Sequence, residues 1–104
     1  STFVASFIGS PPMNLLNNAP GARTGTIMGV RPEHLDIGSS GWELRVDTVE
    51  LLGAERLIYA RLGDEPLIVR VEEGASAPLP GSTLRVRPRE DRLHWFDAST
   101  GKRL

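Results

Sequence analysis

Closely spaced turn signals restrict the fold of this 104-residue chain more than any other feature of its sequence. From "MNLL" onward, stretches rich in Gly, Pro, Asp or Ser recur roughly every 6–12 residues. The segments between them are short, and several alternate apolar and polar residues with the period of a half-buried strand. This pattern predicts a mainly β protein, a small barrel or sandwich with about six or seven short strands.

The clearest alternation is in "WELRVDTVELLG", residues 42–53. Four alternate positions fall on one face of a strand: Trp42, Leu44, Val46 and Thr48. Val49 and Leu51 then continue the apolar series on the other face. A change of phase near Thr48 and Val49 indicates a β-bulge, which a strongly curved barrel strand requires.

Other short segments have the composition of strands and lie between turn-forming stretches: "MNLL", "TIMGVR", "RLIYARL", "LIVRV", "TLRVR" and "RLHWF". The last is followed by "DASTG" and "KRL", which together predict a hairpin. Gly101 suits the left-handed position of its turn.

The N-terminus has a different pattern. Apolar residues lie on one side of two predicted helical turns: Phe3, Val4, Phe7 and Ile8. Gly9 and the prolines at 11 and 12 end this helix. The start "STFVASFIGS" lacks a basic leader and a methionine, so we expect a domain cut from a longer chain rather than a signal peptide.

Composition excludes several classes of function. The net charge is −1, aromatic residues make up 6% and there is no cysteine. A domain-wide field for nucleic acid is therefore absent, and so are disulfides and thiolate metal sites. The arginine-rich "RVRPREDR" has no interleaved aromatic residue, so we interpret Arg85 and Arg87 as the solvent face of a strand. We predict no nucleic-acid partner.

Residues 31–34, "RPEH", are the best candidates for chemistry, because an acid and an imidazole stand side by side. Neighbours on a strand point to opposite faces, so Glu33 and His34 could not act on one atom together. Pro32 cannot donate to a sheet and keeps Arg31 extended, and Pro followed by Glu suits a single helical turn. We interpret residues 31–34 as a structural corner, after which Leu35 enters the core, and predict no catalytic residue.

Metal and cofactor motifs are also missing from the sequence. His34 and His94 are far apart and show no metal-ligand spacing. The chain has neither a GxxxxGK[ST] nor a GxGxxG motif to hold phosphates. We therefore predict no metal, no bound cofactor and no ATP binding by this chain.

Five segments occur in this order in one known family: "FVASFIGSPPMNLL", "GVRPEHL", "VELLGAE", "LIVRV" and "RLHWFDASTGKRL". Over nearly its whole length the chain resembles the C-terminal regulatory domain, often called the TOBE region, of ABC-importer ATP-binding subunits. These subunits serve maltose-type uptake systems for sugars and glycerol-3-phosphate. "SPPMNLL" with "ELLGAERLIYARLGD" is most similar to the glycerol-3-phosphate branch.

The resemblance implies an OB-like regulatory barrel at residues 13–104. Residues 1–12 would be a leading helix and linker from an ATPase domain that this sequence lacks. The parent subunit would bind ATP and Mg²⁺ and hydrolyse ATP, whereas this chain would have no catalysis of its own. The parent would be cytoplasmic, at the inner face of the membrane.

The resemblance also implies partners: a second copy of the subunit, the parent ATPase domain, the transmembrane permease subunits and, in some members, a regulatory protein. It assigns Phe96 to the interface between two regulatory domains. Trp95 would then point inward, because adjacent strand residues leave on opposite faces. We expect Phe3 and Phe7 to pack the leading helix against the barrel or against the ATPase domain.

One segment departs from the family pattern. Members usually carry about two more strands between "MNLL" and the "RPEHL" motif, where this sequence has only "NNAPGARTGTIM". Either this member is naturally short or residues are absent between Leu16 and Gly29. In both cases an open sheet edge would invite a second chain.

Two alternative functions follow from related folds. A TOBE module can bind a small oxyanion, for which "GARTG" (21–25) and "GSSG" (38–41) offer backbone amides. An OB-fold can bind single-stranded nucleic acid, but the charge and the few aromatic residues oppose this function.

Overall fold

The computed structural model describes residues 12–72, 74 and 77–104. The predicted leading helix, with Phe3 and Phe7, lies outside the described residues. Within them the chain forms eight strands and two single turns of 3-10 helix, so the mainly β prediction is confirmed. No helix in this part of the chain has the length and apolar character needed to cross a membrane.

The strands follow the predicted segments closely. They are β1 (Asn14–Leu16), β2 (Thr26–Val30), β3 (Leu35–Gly38), β4 (Trp42–Leu52), β5 (Glu55–Leu62), β6 (Glu65–Glu72), β7 (Thr83–Pro88) and β8 (His94–Asp97). The 3-10 turns are Pro32–His34 and Glu90–Arg92. Only β3 was not predicted, because four residues leading into "GSSG" carry too short an alternation to be recognised.

The strands form two antiparallel sheets. The small sheet has the order β1-β2-β8, and the large sheet has the order β3-β7-β4-β5-β6. One apolar core joins them, with Leu16 and Val30 from the small sheet and Leu44, Ile58 and Val86 from the large one, all fully buried. The two sheets therefore close around a single core, as expected for a small barrel.

Strand β4 contains the predicted change of phase, slightly earlier than expected. Its register with β5 shifts between Val46 and Thr48. Before the shift Leu44 and Val46 are buried, and after it Val49 packs against the core while Thr48 is exposed. Leu51 is 70% exposed, because the end of the hairpin extends beyond the core. The bulge thus keeps the apolar side of a long, bent strand facing inward.

A side chain, and not a ladder of backbone hydrogen bonds, joins β1 to β6. Asn14, 7% exposed, donates from Nδ2 to the Ile68 carbonyl and accepts at Oδ1 from the Ile68 N–H, both at 2.8 Å. The Asn14 amide therefore gives both backbone groups of Ile68, in the outer strand β6, the hydrogen bonds that a neighbouring strand would give them. Next to it, the Glu65 carboxylate accepts from the backbone N–H groups of Asn17 and Asn18 at 2.6 and 2.9 Å.

The predicted C-terminal hairpin is present. Asp97 N–H donates to the Lys102 carbonyl, and Gly101 N–H donates to the Asp97 carbonyl, both at 2.8 Å. Gly101 has φ 74°, the left-handed conformation that the sequence suggested. Leu104 N–H donates to the Trp95 carbonyl at 2.8 Å. The last residues therefore cover the free edge of β8.

Candidate functional site

Residues 31–34 form a tight corner between the two sheets. Arg31 is extended (φ −72°, ψ 147°) and Pro32 starts the 3-10 turn, where a missing N–H is no loss. His34 N–H donates to the Arg31 carbonyl at 2.9 Å, and the His34 carbonyl accepts from Arg89 N–H at 2.9 Å. Pro32 is fully buried, and Leu35 follows it into the core at 2% exposure.

Glu33 and His34 lie on this turn and not on a strand, so the opposite-face argument does not apply to them. Both line one polar groove, together with Asp36, Arg70 and Arg89. The ring nitrogen Nδ1 of His34 is buried and has no hydrogen-bond partner among the described residues. The absence of a catalytic role for the corner stays a prediction.

Two ion pairs line this groove. Arg89 binds both carboxylate oxygens of Asp36, at 3.0–3.2 Å, and Arg70 pairs with Glu55. The hydrogen bonds from Arg89 hold the pKa of Asp36 below its usual value. The Arg89 guanidinium correspondingly has a raised pKa. Asp36 and Arg89 therefore stay charged at neutral pH and present fixed charges to the groove.

Trp95 and Phe96 lie on opposite faces of β8. Trp95 pairs with the buried Met28 and packs against the core. Phe96 pairs with Ile27 on the outer face of the small sheet and is partly exposed. A Cβ atom placed on Gly29 would lie 2.9 Å from Phe96 Cε2, so the ring covers the backbone of Gly29. This arrangement leaves Phe96 available to a partner.

The face of the small sheet that points away from the core carries several apolar residues around Phe96. We call it the outer face, formed by Met13, Leu15, Ile27, Gly29 and Phe96. Leu15, opposite Gly29 in the register, is 49% exposed, while Met13 and Ile27 are partly buried. A partly exposed apolar sheet face next to an aromatic residue is typical of an interaction surface.

The candidate oxyanion loops are residues 21–25 and 38–41. Gly21 and Arg23 line a shallow cleft with Trp95 and Leu104. In the other loop, Ser40 Oγ accepts from Arg87 at 3.0 Å and the Gly41 carbonyl accepts from Arg85 at 3.0 Å. Arg85 and Arg87 are exposed and Val86 is buried, so the predicted solvent face of β7 is confirmed.

Metal ligation has no candidate in the part of the chain that the structure describes. No three His, Asp or Glu side chains there are grouped closely enough to hold an ion. His94 instead contacts the Arg103 guanidinium through Nδ1 at 2.6 Å.

Known proteins resemble the whole chain. It is 40% identical over 130 aligned positions to the sn-glycerol-3-phosphate import ATP-binding protein UgpC of Salmonella typhi, and 36% identical over 132 positions to the protein of that name from Bordetella pertussis. Each alignment covers 100% of this chain but 36% of the relative, so the chain spans about a third of their length.

The alignments are longer than the 104-residue chain, so the relatives carry additional residues within the matched region. The family model of the TOBE domain matches residues 28–96. That segment runs from β2 to β8 and includes the 3-10 corner, the whole large sheet and Phe96. With a family match over most of its length, a mainly β fold and full-length similarity to these relatives, the chain belongs to the TOBE domain family.

Proposed function

We propose that this chain is the regulatory and dimerisation region of the ATP-binding subunit of an ABC importer. The alignment of the entire chain with one part of longer import ATP-binding proteins carries this proposal. Residues 13–104 are the regulatory domain, and residues 1–12 lead into it from the ATPase domain. The catalytic steps, with ATP and Mg²⁺, belong to that other domain of the parent subunit.

The partners follow from this assignment. The parent works as a pair of subunits beneath transmembrane permease subunits, at the cytoplasmic face of the membrane, and imports glycerol-3-phosphate or a sugar. A regulatory protein is a further candidate partner. Phe96 is assigned to the contact with the second copy, and Phe3 and Phe7 to the contact with the barrel or the ATPase domain. Residues 31–34 (Arg31, Pro32, Glu33 and His34) shape the corner.

The outer face supports the dimerisation role. It presents the Phe96 ring, and Leu15 beside it is half exposed. A twofold pairing would place this face against its equivalent in a second copy.

Sedimentation velocity across a concentration series tests dimerisation. We expect a reversible dimer, and Phe96→Asp should shift it to monomer, because a carboxylate would be buried without a partner. Leu79→Asp is the matched control, since Leu79 is 76% exposed and lies outside the outer face. A Phe96→Asp variant that unfolds, or that still dimerises, would contradict the assignment of Phe96.

Equilibrium dialysis with labelled ATP tests whether ATP binding belongs to the ATPase domain and not to this chain. We expect no binding by this chain, because it has no phosphate-binding loop. Micromolar ATP binding would refute the assignment. The same dialysis with molybdate tests the oxyanion alternative, which predicts saturable binding.

A further inference from the structure

The large sheet has two outer strands, β3 and β6, and both border the polar groove described above. Residues 33–37 form one wall and residues 70–72 the other, with Glu55 and Arg89 at the sides. The volume of the groove is about 680 Å³, within the usual range for binding sites. We call it the edge groove.

Strand β3 turns backbone groups that its neighbour β7 does not bind toward the edge groove. Arg89 N–H donates to the His34 carbonyl, which identifies His34 and Arg89 as a hydrogen-bonded pair of an antiparallel ladder. Every second residue of an antiparallel strand faces the same neighbour. Asp36 therefore also faces β7, and the N–H and C=O groups of Leu35 and Ile37 point away from it.

Strand β6 does the same from the other side. The N–H and C=O of Ile68 point away from β5, because both bond to the Asn14 side chain. Two and four residues farther along, Arg70 and Glu72 present their backbone groups on that same side. Pro66, which has no N–H, lies on this outer side too, as prolines of edge strands do.

The side chains give the edge groove a negative charge. Four carboxylates line it: Glu33, Asp36, Glu55 and Glu72. Two arginines, Arg70 and Arg89, line it as well and are each paired with a carboxylate, Glu55 and Asp36. The four carboxylates therefore outnumber the two arginines, and this excess of negative charge favours a positively charged occupant.

One further group lacks a partner. His34 lines the edge groove, and its Nδ1 atom is buried without a hydrogen bond within the described residues. A buried ring nitrogen without a partner costs free energy, so this end of the edge groove is not optimised for stability alone. Ile37, 40% exposed, and Val71 add apolar wall between the charges.

We propose that the edge groove binds an extended, lysine- or arginine-bearing segment of a partner protein, which adds as a strand along β3 or β6. Repeated backbone groups on two sheet edges match a peptide better than a compact ligand, because a strand uses them at its own spacing. Alternate basic side chains reach Glu33 and Glu72. This surface shares no residue with the outer face.

The experiment uses the 104-residue chain and a fluorescein-labelled peptide of alternating threonine and lysine, about seven residues long. We expect saturable binding by fluorescence anisotropy at low salt, weakening as salt rises. The same peptide with glutamate in place of lysine should not bind. Methylation of alternate backbone nitrogens should also abolish binding, because it removes the donors that a strand needs.

Amide hydrogen exchange distinguishes strand addition from general charge attraction. The peptide should slow exchange at the outward-facing amides: Leu35, Ile37, Arg70 or Glu72. Glu33→Gln and Glu72→Gln should each weaken binding about threefold, the scale of an exposed ion pair. Glu43→Gln is the matched control, since Glu43 lies on β4 beside Arg85 and away from the groove.

Three results would overturn the proposal. Binding that is equal for the lysine and glutamate peptides would remove the charge argument. Binding without slower exchange at any of the four amides would exclude strand addition. Slow exchange there in concentrated protein alone, lost on dilution, would identify a second copy as the occupant instead.

Discussion

Replacing Asn14 with leucine tests what closes the gap between β1 and β6. The Asn14 amide makes two 2.8 Å hydrogen bonds to the Ile68 backbone, and leucine can make neither. An unsatisfied buried donor or acceptor costs about 1–3 kcal/mol. Ile68 is only partly buried, and leucine adds some apolar burial, so we expect Asn14→Leu to lower the free energy of unfolding by roughly 2–3 kcal/mol.

For a domain of this size, that loss lowers the melting temperature by roughly 10–20 °C. Urea unfolding followed by tryptophan fluorescence measures the free energy, and amide exchange at Ile68 reports the local opening. Asn18→Leu is the matched control, because the Asn18 side chain is exposed and surface changes cost about 0.5 kcal/mol or less.

Equal stability of the two variants would show that the Asn14 amide does not hold the strands together. A stability loss with unchanged Ile68 exchange would place the damage elsewhere in the small sheet.

Further predictions concern a glycine and an acid. Gly41 has φ 112°, and a Cβ atom there would meet the Val86 backbone carbonyl. Gly41→Ala should therefore lower the free energy of unfolding by about 1–3 kcal/mol in thermal unfolding. Gly63→Ala is the control and should cost less, because the space around Gly63 is open. Hydrogen bonds from the Ser99 hydroxyl and from the Thr100 and Ser99 backbone N–H groups lower the pKa of Asp97 below its usual 3.8. Because the folded-state pKa is depressed, the stability from Asp97 is present above pH 3.8 and is lost as pH falls through the lower folded value. Asp97→Asn should flatten that acid slope in urea titrations, and a slope equal to that of the unsubstituted chain would contradict the role of Asp97.

The predictions for dimerisation and for peptide binding depend on two surfaces that share no residue. Phe96→Asp acts on the outer face, and Glu33→Gln and Glu72→Gln act on the edge groove. A variant of one surface should therefore leave the other function unchanged. If Phe96→Asp abolished peptide binding as well, the two surfaces would be coupled through the pairing of subunits.

Local patterns in the sequence were enough to predict most strands. The alternation in residues 42–53 predicted both the buried side of β4 and its bulge, because a half-buried strand needs an apolar residue at every second position. The 97–101 turn followed from Gly101, whose left-handed conformation other residues adopt only with strain. The buried side of β4, its bulge and the 97–101 turn each depend on residues close together in the chain, so the sequence alone was enough to predict them.

The edge groove was not predictable. Its walls come from β3 and β6, which are far apart in the chain and are brought together by the order of strands in the large sheet. The sequence did single out Glu33 and His34, but a strand-based argument wrongly placed them on opposite faces. The 3-10 turn puts both beside one groove, because its side chains do not alternate as strand residues do.

By itself, the sequence determined the β class, most strand positions, the turn at Gly101 and the family, since each rests on residue types at short spacing or on motifs in a fixed order. Only the tertiary structure decided that Asn14 joins β1 to β6, that the Phe96 ring lies over Gly29, and that four carboxylates meet at one groove. These are contacts between distant segments. They depend on strand order and register, which the packing of the two sheets around one core selects.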